Sequence, residues 1–341
     1  MTRPLVSILI PAYNAEQWIC DALRSALAQT WAQKEIIVVD DGSTDRTLEI
    51  ARQFESERLQ VVANPHCGAA ATRNKALLLS KGEYIQYLDA DDVLAPDKIE
   101  KQMLALGESP NKRALVSGSF GKFMYRYYRT SFIPTALWCD LSPIEWLIRK
   151  MQLNLFMQTG TWLVSRELAE AAGPWDTRLL GDDDGEYFCR VLLASDEVRF
   201  VPDAKVYYRE AGPGRLSYIG QSDRKMIAQW ISMELHIRYI RSLEDSERVR
   251  AACVNYLQNW VHFFHPDMPD LVRRAEEMAR SLGGELRTPK PSWKLSVFSV
   301  LFGEKRAKGA QVFLTKIKWF FMQNWDKMLF QFENRRIKEG F

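Results

Sequence analysis

Histidine is scarce in this chain and cysteine is scattered: four and five residues among 341. Cys20, Cys67, Cys139, Cys189 and Cys253 form no Cys-x-x-Cys pair. That spacing argues against a zinc site or a disulfide framework and fits a reducing compartment. His262 and His265 stand three apart on a predicted helix, where packing or surface roles are commoner than metal ligation. No Walker loop, no Gly-x-Gly-x-x-Gly and no arguable Ser-His-Asp order occurs. No run of about 18 apolar residues predicts a membrane span. The opening run Leu5–Ile10 is broken by Pro11 and is too short for a secretory h-region.

What is present is core and charge. Hydrophobic residues make up 47% and charged residues 26% of the chain, which places it among globular proteins with ample core. The net charge of +3 hides an asymmetry. Residues 286–341 carry 12 Lys/Arg against 4 Asp/Glu, a net of +8, so the remainder sums to −5. The same segment holds 11 Phe/Trp residues. A basic, aromatic-rich end on a mildly acidic body suggests an anionic surface as partner.

The first half alternates between strand and helix patterns. Val6–Ile10, Ile36–Val39, Leu59–Val62 and Tyr84–Leu88 read as strands. Helices are predicted after Asn14, where Gln17 would complete a capping box, from Ser43-Thr44, over 69–80 and over Asp97–Leu106. A β-α-β-α-β-α-β order implies a parallel sheet covered on both faces. The middle is less regular. Ala114–Phe120 is a plausible strand, and residues 121–141, aromatic and basic, read as an irregular loop or a hairpin. Asp184–Ala194 is helical; Val198–Val201 and Val206–Tyr208 are short strands; Gly212-Pro213-Gly214 marks a loop. Helices are predicted at 221–243, 246–264 and 267–282, and Pro289 and Pro291 mark a linker.

Chemistry concentrates at strand ends. The run Tyr84–Leu88 delivers Asp89-Ala90-Asp91-Asp92. Carboxylates this close raise each other's pKa unless a proton or cation relieves them. Oxygen ligands of this kind suit Mg²⁺ or Mn²⁺. The first strand ends in Pro11-Ala12-Tyr13-Asn14 and the second in Asp40-Asp41-Gly42-Ser43-Thr44-Asp45. In a parallel sheet these ends share the edge where ligands bind. Tyr13 can stack on a base, a carboxylate can accept its N–H groups, and Gly42 lets backbone approach closely. Gly68 opens a helix of small residues that presents Arg73, suited to a phosphate or base carbonyl. Asp182-Asp183-Asp184 precede a further helix, either as N-terminal helix charge or as a base. Repulsion would raise a pKa there and the helix N-terminus would lower it.

Together, Val6–Asn14, Val38–Asp45, Ala70–Asn74, Gly82–Ile85 and Leu88–Asp92 resemble a family-2 glycosyltransferase over about residues 5–120. Gly173-Pro174-Trp175-Asp176, Asp182–Phe188 and Arg190 extend the likeness to about residue 210. The resemblance implies an α/β fold of GT-A type: a Rossmann-like, mostly parallel sheet with helices on both faces, followed by a helical C-terminal region. It implies residues 1–215 as the catalytic domain, with 1–120 binding a nucleotide sugar and 121–215 holding the acceptor and catalytic part. Residues 216–288 would be helical and 289–341 a basic, amphipathic tail.

The resemblance further implies an inverting, metal-dependent hexosyltransferase. Its donor would be a nucleotide-diphosphate sugar, with UDP expected, and its cofactor Mn²⁺ or Mg²⁺. Its acceptor would be a saccharide or lipid-linked hydroxyl in surface or extracellular polysaccharide biosynthesis. Residue by residue, Pro11, Ala12 and Tyr13 would line the base pocket, with Asp41 and its neighbour Asp40 binding the base. Arg73 would contact the nucleotide. Asp89-Ala90-Asp91 would be the Asp-x-Asp motif, Asp91 the more direct metal ligand and Asp89 the second. Asp183-Asp184 falls on the family's Glu-Asp motif, making Asp184 the general base and Glu186 an acidic support. One departure stands out: Ala211 occupies the place of a histidine that the family often carries near the metal, with Arg209 or Arg215 as candidate substitutes.

Two rivals remain at this point. A sugar nucleotidyltransferase would use a similar cleft, but its Gly-rich, Lys-bearing phosphate loop is missing. A catalytically silent nucleotide-sugar binder would accommodate Ala211. The tail intersperses Trp293, Phe298, Phe302, Phe313, Trp319, Phe320, Trp325 and Phe330 with lysines. It reads either as an amphipathic helix on anionic lipid or as helices packing on the catalytic domain. The expected location is cytoplasmic, peripheral to the inner face of the membrane, and no nucleic-acid partner is expected.

Overall fold

The computed structural model describes residues 3–107, 111–210, 222–265, 267–287 and 317–333. Strands β1 (Val6–Ala12), β2 (Lys34–Asp40), β3 (Leu59–Ala63) and β4 (Tyr84–Tyr87) run parallel. The apolar runs of β1, β2 and β4 are buried on both faces, as strands inside a parallel sheet require, while β3 lies at the edge. A second sheet is built from β5 (Val93–Leu94), β6 (Ala114–Phe123) and β8 (Glu197–Arg209) in the order β5-β8-β6. Strand β7 (Val164–Ser165) closes the first sheet antiparallel to β4, giving β3-β2-β1-β4-β7. The α/β fold expected from the alternation is present.

Helices α1 (Ile19–Leu27), α2 (Thr47–Arg52), α3 (Ala69–Leu79) and α4 (Lys98–Leu106) connect the early strands. Two starts differ from the sequence reading. The Asn14/Gln17 capping box does not form. Asn14 is left-handed, with φ 48°, and its side chain accepts from the Thr44 amide at 2.8 Å. The Asn14 amide donates to Ser43 Oγ at 3.0 Å. With Ser43 and Thr44 so used, α2 begins later, at Thr47, whose amide donates to Asp45 Oδ1 at 2.9 Å. These bonds stitch two loops at the C-terminal edge of the sheet.

The middle holds two helices that periodicity did not resolve, α5 (Pro143–Leu153) and α6 (Arg166–Ala172). Each is announced by a serine N-cap: Ser142 accepts from the Glu145 amide, and Ser165 from the Leu168 amide. Residues 124–141 form no hairpin; one 3-10 turn at Tyr127–Arg129 is their only helical element. The two short strands expected near residues 198–208 are one strand, β8. Its register against β6 jumps from Gly118↔Val201 to Ser119↔Lys205, so residues 202–204 bulge and Ser119 Oγ donates to the Pro202 carbonyl at 2.6 Å.

Helix α7 (Asp183–Ala194) leads into β8, and α8 (Asp223–Leu243), α9 (Glu247–Phe264) and α10 (Pro269–Ser281) follow as a helical layer. That layer shares one hydrophobic core with the sheets, through Trp230, Ile237, Tyr256, Leu257 and Phe264. The Gly212-Pro213-Gly214 loop, Ala211, Arg215, the Pro289–Pro291 linker and Trp293, Phe298, Phe302 and Phe313 lie outside the described residues. Residues 317–333 form a last helix, α11, which rests on the loop after β6. Among the described residues no helix is long and apolar enough to cross a membrane.

Candidate active site

Three strand ends meet at one sheet edge, and each brings one part of the site. At the end of β2 the chain turns through Gly42, with φ 69°. A Cβ there would lie 2.8 Å from the His66 amide, so only glycine fits. The turn aims Asp41 at the N-terminus of α3. Its carboxylate accepts from the Cys67 amide at 2.8 Å, the Gly68 amide at 3.0 Å and the Cys67 thiol at 3.2 Å. Burial alone would raise this carboxyl; the bonds from Cys67, Thr72 and Gly68 outweigh it and hold Asp41 below the usual carboxylate range.

Asp40 is buried and turns back to accept from the Ser43 amide at 3.0 Å. Pro11 and Ala12 close β1 beside it, and the Ala12 carbonyl receives the Asp41 amide at 2.8 Å. Tyr13 projects from this edge, about half exposed, and stacks on His66 with ring centroids 4.4 Å apart. His66 Nδ1 lies 2.9 Å from Asp41 Oδ2. Tyr13, His66 and Asp41 therefore form one aromatic and acidic corner.

The Asp89–Asp92 cluster divides its labour. Asp92 is fully buried: it accepts from the Arg209 amide at 2.7 Å and from Gln158 Nε2 at 2.5 Å, so it fixes the turn. Ala90 is buried between its neighbours. Asp89 and Asp91 are both partly exposed at the edge. Arg209, a sequence candidate for reaching a diphosphate, is spent elsewhere. Its guanidinium pairs with Asp21 at 2.7 Å, donates to the Asp91 carbonyl at 2.7 Å, and lies between the rings of Trp18 and Phe123. It supports Asp91 from beneath.

Arg73 joins this cluster to the opposite wall. From α3 it donates to Asp89 Oδ1 at 2.9 Å and to Asp183 Oδ2 at 2.7 Å. Its guanidinium also lies 4.6 Å over the Trp175 ring. Trp175 is held by a two-way bond with the side chain of Asn74, by Nε1 donation to the Tyr87 hydroxyl at 3.0 Å, and by stacking on Tyr187 at 4.1 Å. The Gly173–Asp176 segment thus builds a wall that aims Arg73.

Asp183 and Asp184 open α7. Asp184 accepts from Thr159 Oγ1 at 3.2 Å and from the Gly185 amide at 2.9 Å. Burial pushes the Asp183 carboxyl up to about 6, against the pull of Arg73, with Asp184 and Asp89 adding to the rise. Asp184 is raised too, by burial first and then by Asp182. Between the opposing influences read from sequence, burial and repulsion win over the helix N-terminus. Glu186 points away: it pairs with Arg190 through both oxygens at 2.8 Å and accepts from Tyr239 at 3.0 Å, anchoring the helix.

Several supporting residues carry no sequence signal. Asp182 is left-handed, with φ 53°, and a Cβ on Gly185 would run into its carboxylate. Ser232 on α8 donates to Asp182 at 2.6 Å, with Gln229 3.3 Å away. Ser232, Gln229, Gln158 and Thr159 are isolated polar residues, recognisable only once the fold brings them to the acidic loop.

The donor set beside Asp89 and Asp91 is all oxygen. Among the described residues no three His, Cys, Asp or Glu side chains gather closely enough to hold an ion. Mg²⁺ commonly takes one or two carboxylates and completes its shell with substrate phosphates and water. Two partly exposed carboxylates at the end of β4 fit that habit.

A mostly parallel sheet with an antiparallel edge strand, helices around it and a helical C-terminal region is the GT-A class of fold. Residues 7–170 match the family model Glycosyl transferase family 2. The putative teichuronic acid biosynthesis glycosyltransferase TuaG of Bacillus subtilis is 46% identical over 104 residues, which are 30% of this chain and 41% of that protein. The Escherichia coli UDP-Glc:alpha-D-GlcNAc-diphosphoundecaprenol beta-1,3-glucosyltransferase WfaP is 45% identical over 100 residues, 29% of this chain and 40% of that protein. The chain therefore spans about two fifths of these relatives. Two solved structures share the fold. A Staphylococcus aureus TarS fragment in complex with UDP-GlcNAc is 18% identical with TM-score 0.54, covering 85% of this chain and 95% of that one. The Pyrobaculum calidifontis mannosyltransferase PcManGT, in complex with GDP-Man and Mn²⁺, is 21% identical with TM-score 0.53, covering 96% and 86%.

Proposed function

We propose that the protein is an inverting glycosyltransferase. It moves a sugar from a nucleotide-diphosphate donor to a hydroxyl of a saccharide or lipid-linked acceptor in polysaccharide biosynthesis. The observation that carries this reading is the Arg73 bridge, which ties Asp89 at the end of β4 to Asp183 at the start of α7. UDP is the nucleotide of this proposal, supported by the likeness over 100 residues to WfaP, a named UDP-glucose enzyme. The domain limits 1–215, 216–288 and 289–341 belong to the same proposal.

The residues divide the work. Tyr13 stacks on the base, with Asp41, Asp40, Pro11 and Ala12 lining its pocket. Arg73 places positive charge beside the donor. Asp184, its carboxyl raised by burial, takes the proton of the acceptor hydroxyl. That oxygen forms the new bond to the anomeric carbon as the bond to the nucleoside diphosphate breaks, and the configuration inverts. Asp183, fixed by Arg73, keeps Asp184 at the cleft. A Mn²⁺ or Mg²⁺ ion would be held by Asp91 and Asp89 and would neutralise charge on the leaving diphosphate.

The test is release of nucleoside diphosphate from a panel of UDP-, GDP- and dTDP-sugars, with and without saccharide acceptors. Release that rises with one donor and is lost in Asp184→Asn supports the reading. Release of pyrophosphate would reassign the cleft to nucleotidyl transfer. Donor binding without release, even to water, would make the protein a silent binder.

A further inference from the structure

Helix α11 has two faces of different character. Its only acidic residues among 317–333, Asp326 and Glu333, both turn toward the loop after β6. Asp326 accepts from the Tyr125 amide at 3.0 Å and from Arg126 Nε at 2.8 Å. Glu333 accepts from Arg126 at 3.1 Å and from the Tyr128 hydroxyl at 2.5 Å. Phe330 packs toward Tyr125, with centroids 6.2 Å apart. The opposite face carries Ile317, Phe320, Phe321, Trp325 and Met328, at the i, i+3, i+4, i+8 and i+11 spacing of one helical stripe. Phe320, Phe321 and Trp325 are 64%, 67% and 62% exposed. At about 100° per residue, Lys318 and Lys327 fall on the two borders of that stripe.

We infer that this face docks on a lipid surface bearing anionic head groups. Three features favour lipid as the occupant. With both acids turned inward, the outward surface is apolar at its centre and cationic at its borders. Lys318 can lay its stem along the apolar boundary and set its ammonium group among phosphates, whereas the Lys327 ammonium lies 5.9 Å over the Tyr125 ring and would swing outward to do so. Phe and Trp are the side chains that settle at the boundary between head groups and acyl chains. The charge is also regional, since residues 286–341 sum to +8.

The position of the helix gives the contact a purpose. Tyr125, on which α11 rests, accepts from Gln17 at 3.4 Å and meets Trp18 with centroids 5.2 Å apart. Trp18 in turn covers Arg209, which holds the Asp91 carbonyl. Helix α11 is therefore joined through Tyr125, Trp18 and Arg209 to the Asp91 turn, with its apolar stripe on the far side of the helix. A lipid-linked acceptor would present its hydroxyl from the lipid surface; this last step rests on the proposed transferase function, whereas the docking itself does not.

The experiment uses the full-length chain and sedimentation with vesicles of phosphatidylcholine, alone or mixed with phosphatidylglycerol. Wild type should sediment with the mixed vesicles and remain in solution with phosphatidylcholine alone. Phe320→Ser/Phe321→Ser/Trp325→Ser and, separately, Lys318→Glu/Lys327→Glu should each lower binding by about tenfold or more. Both variants should keep the wild-type melting temperature and nucleotide response. Folded wild type left in solution with anionic vesicles overturns the inference, as does a triple variant that sediments like wild type. A lipid-free dimer dispersed by the triple variant, with no vesicle binding, reassigns the face to a second copy. Vesicle binding without any nucleotide response leaves the docking standing and removes the transferase reading.

Discussion

Asp89 and Asp183 are held on opposite sides of a single guanidinium, that of Arg73, at 2.9 and 2.7 Å. One residue from α3 thereby ties the turn after β4 to the start of α7. Neither carboxylate has to face the other unscreened.

Arg73→Ala should therefore damage both fold and turnover. Breaking a buried pair by removing one partner costs about 3–5 kcal/mol, because a buried charge is left alone. Thermal unfolding should register the loss. Arg73→Ala/Asp183→Asn should be less destabilised than the single variant, since it removes the abandoned charge. Equal melting temperatures for the two would show that Arg73 is not balancing Asp183.

Asp184→Asn should lower kcat by about 10²–10⁴-fold, the usual worth of a positioned base, with donor KM little changed. The pH profile has a defined sign. Burial raises the Asp184 carboxyl above the usual carboxylate range and that of its neighbour Asp183 to about 6. Activity should rise with pH through a limb above the ordinary carboxylate value and level beyond it. A limb near 4 would mean that burial does not control the pair.

Ser232→Ala tests the helical layer. Ser232 donates to Asp182 at 2.6 Å, and a hydrogen bond to a charged group contributes about 1.5–3 kcal/mol. The variant should lose kcat by about tenfold with nucleotide binding retained, because Asp182 adjoins Asp183 and Asp184 and not the Tyr13–Asp41 corner. A purely structural role would lower melting temperature and leave kcat alone.

Tyr13→Ala should raise donor KM and leave kcat nearly intact, since base stacking is worth about 1–3 kcal/mol and is made equally in ground and transition states. Steady-state kinetics on the preferred donor decide it. A fall in kcat without a change in KM would remove Tyr13 from the base pocket.

Much of this was legible in the sequence because parallel strands are buried on both faces and so advertise themselves as apolar runs. Val6–Ile10 and Ile36–Val39 end in charged or aromatic residues that a strand interior would not hold. The Asp89–Asp92 run announced the edge, but composition could not say that Asp92 turns inward to Gln158 and Arg209. Asn14 looked like a helix cap because capping spacing is local, while its true partner, Thr44, comes from another loop. Helices α5 and α6 escaped periodicity, although α5 is as long as α3; their serine caps, Ser142 and Ser165, were the local signal that marks them. Ser232 was invisible, since a single serine in a long helix carries no signal until tertiary packing gives it a partner.

The most direct test of the central claim is thermal stability against UDP, GDP, CDP and dTDP, each with and without Mn²⁺, for wild type and Asp91→Asn. The account predicts that UDP with Mn²⁺ raises the melting temperature of wild type and fails to do so in the variant. No stabilisation of a folded wild type by any nucleotide, with or without the ion, would contradict it.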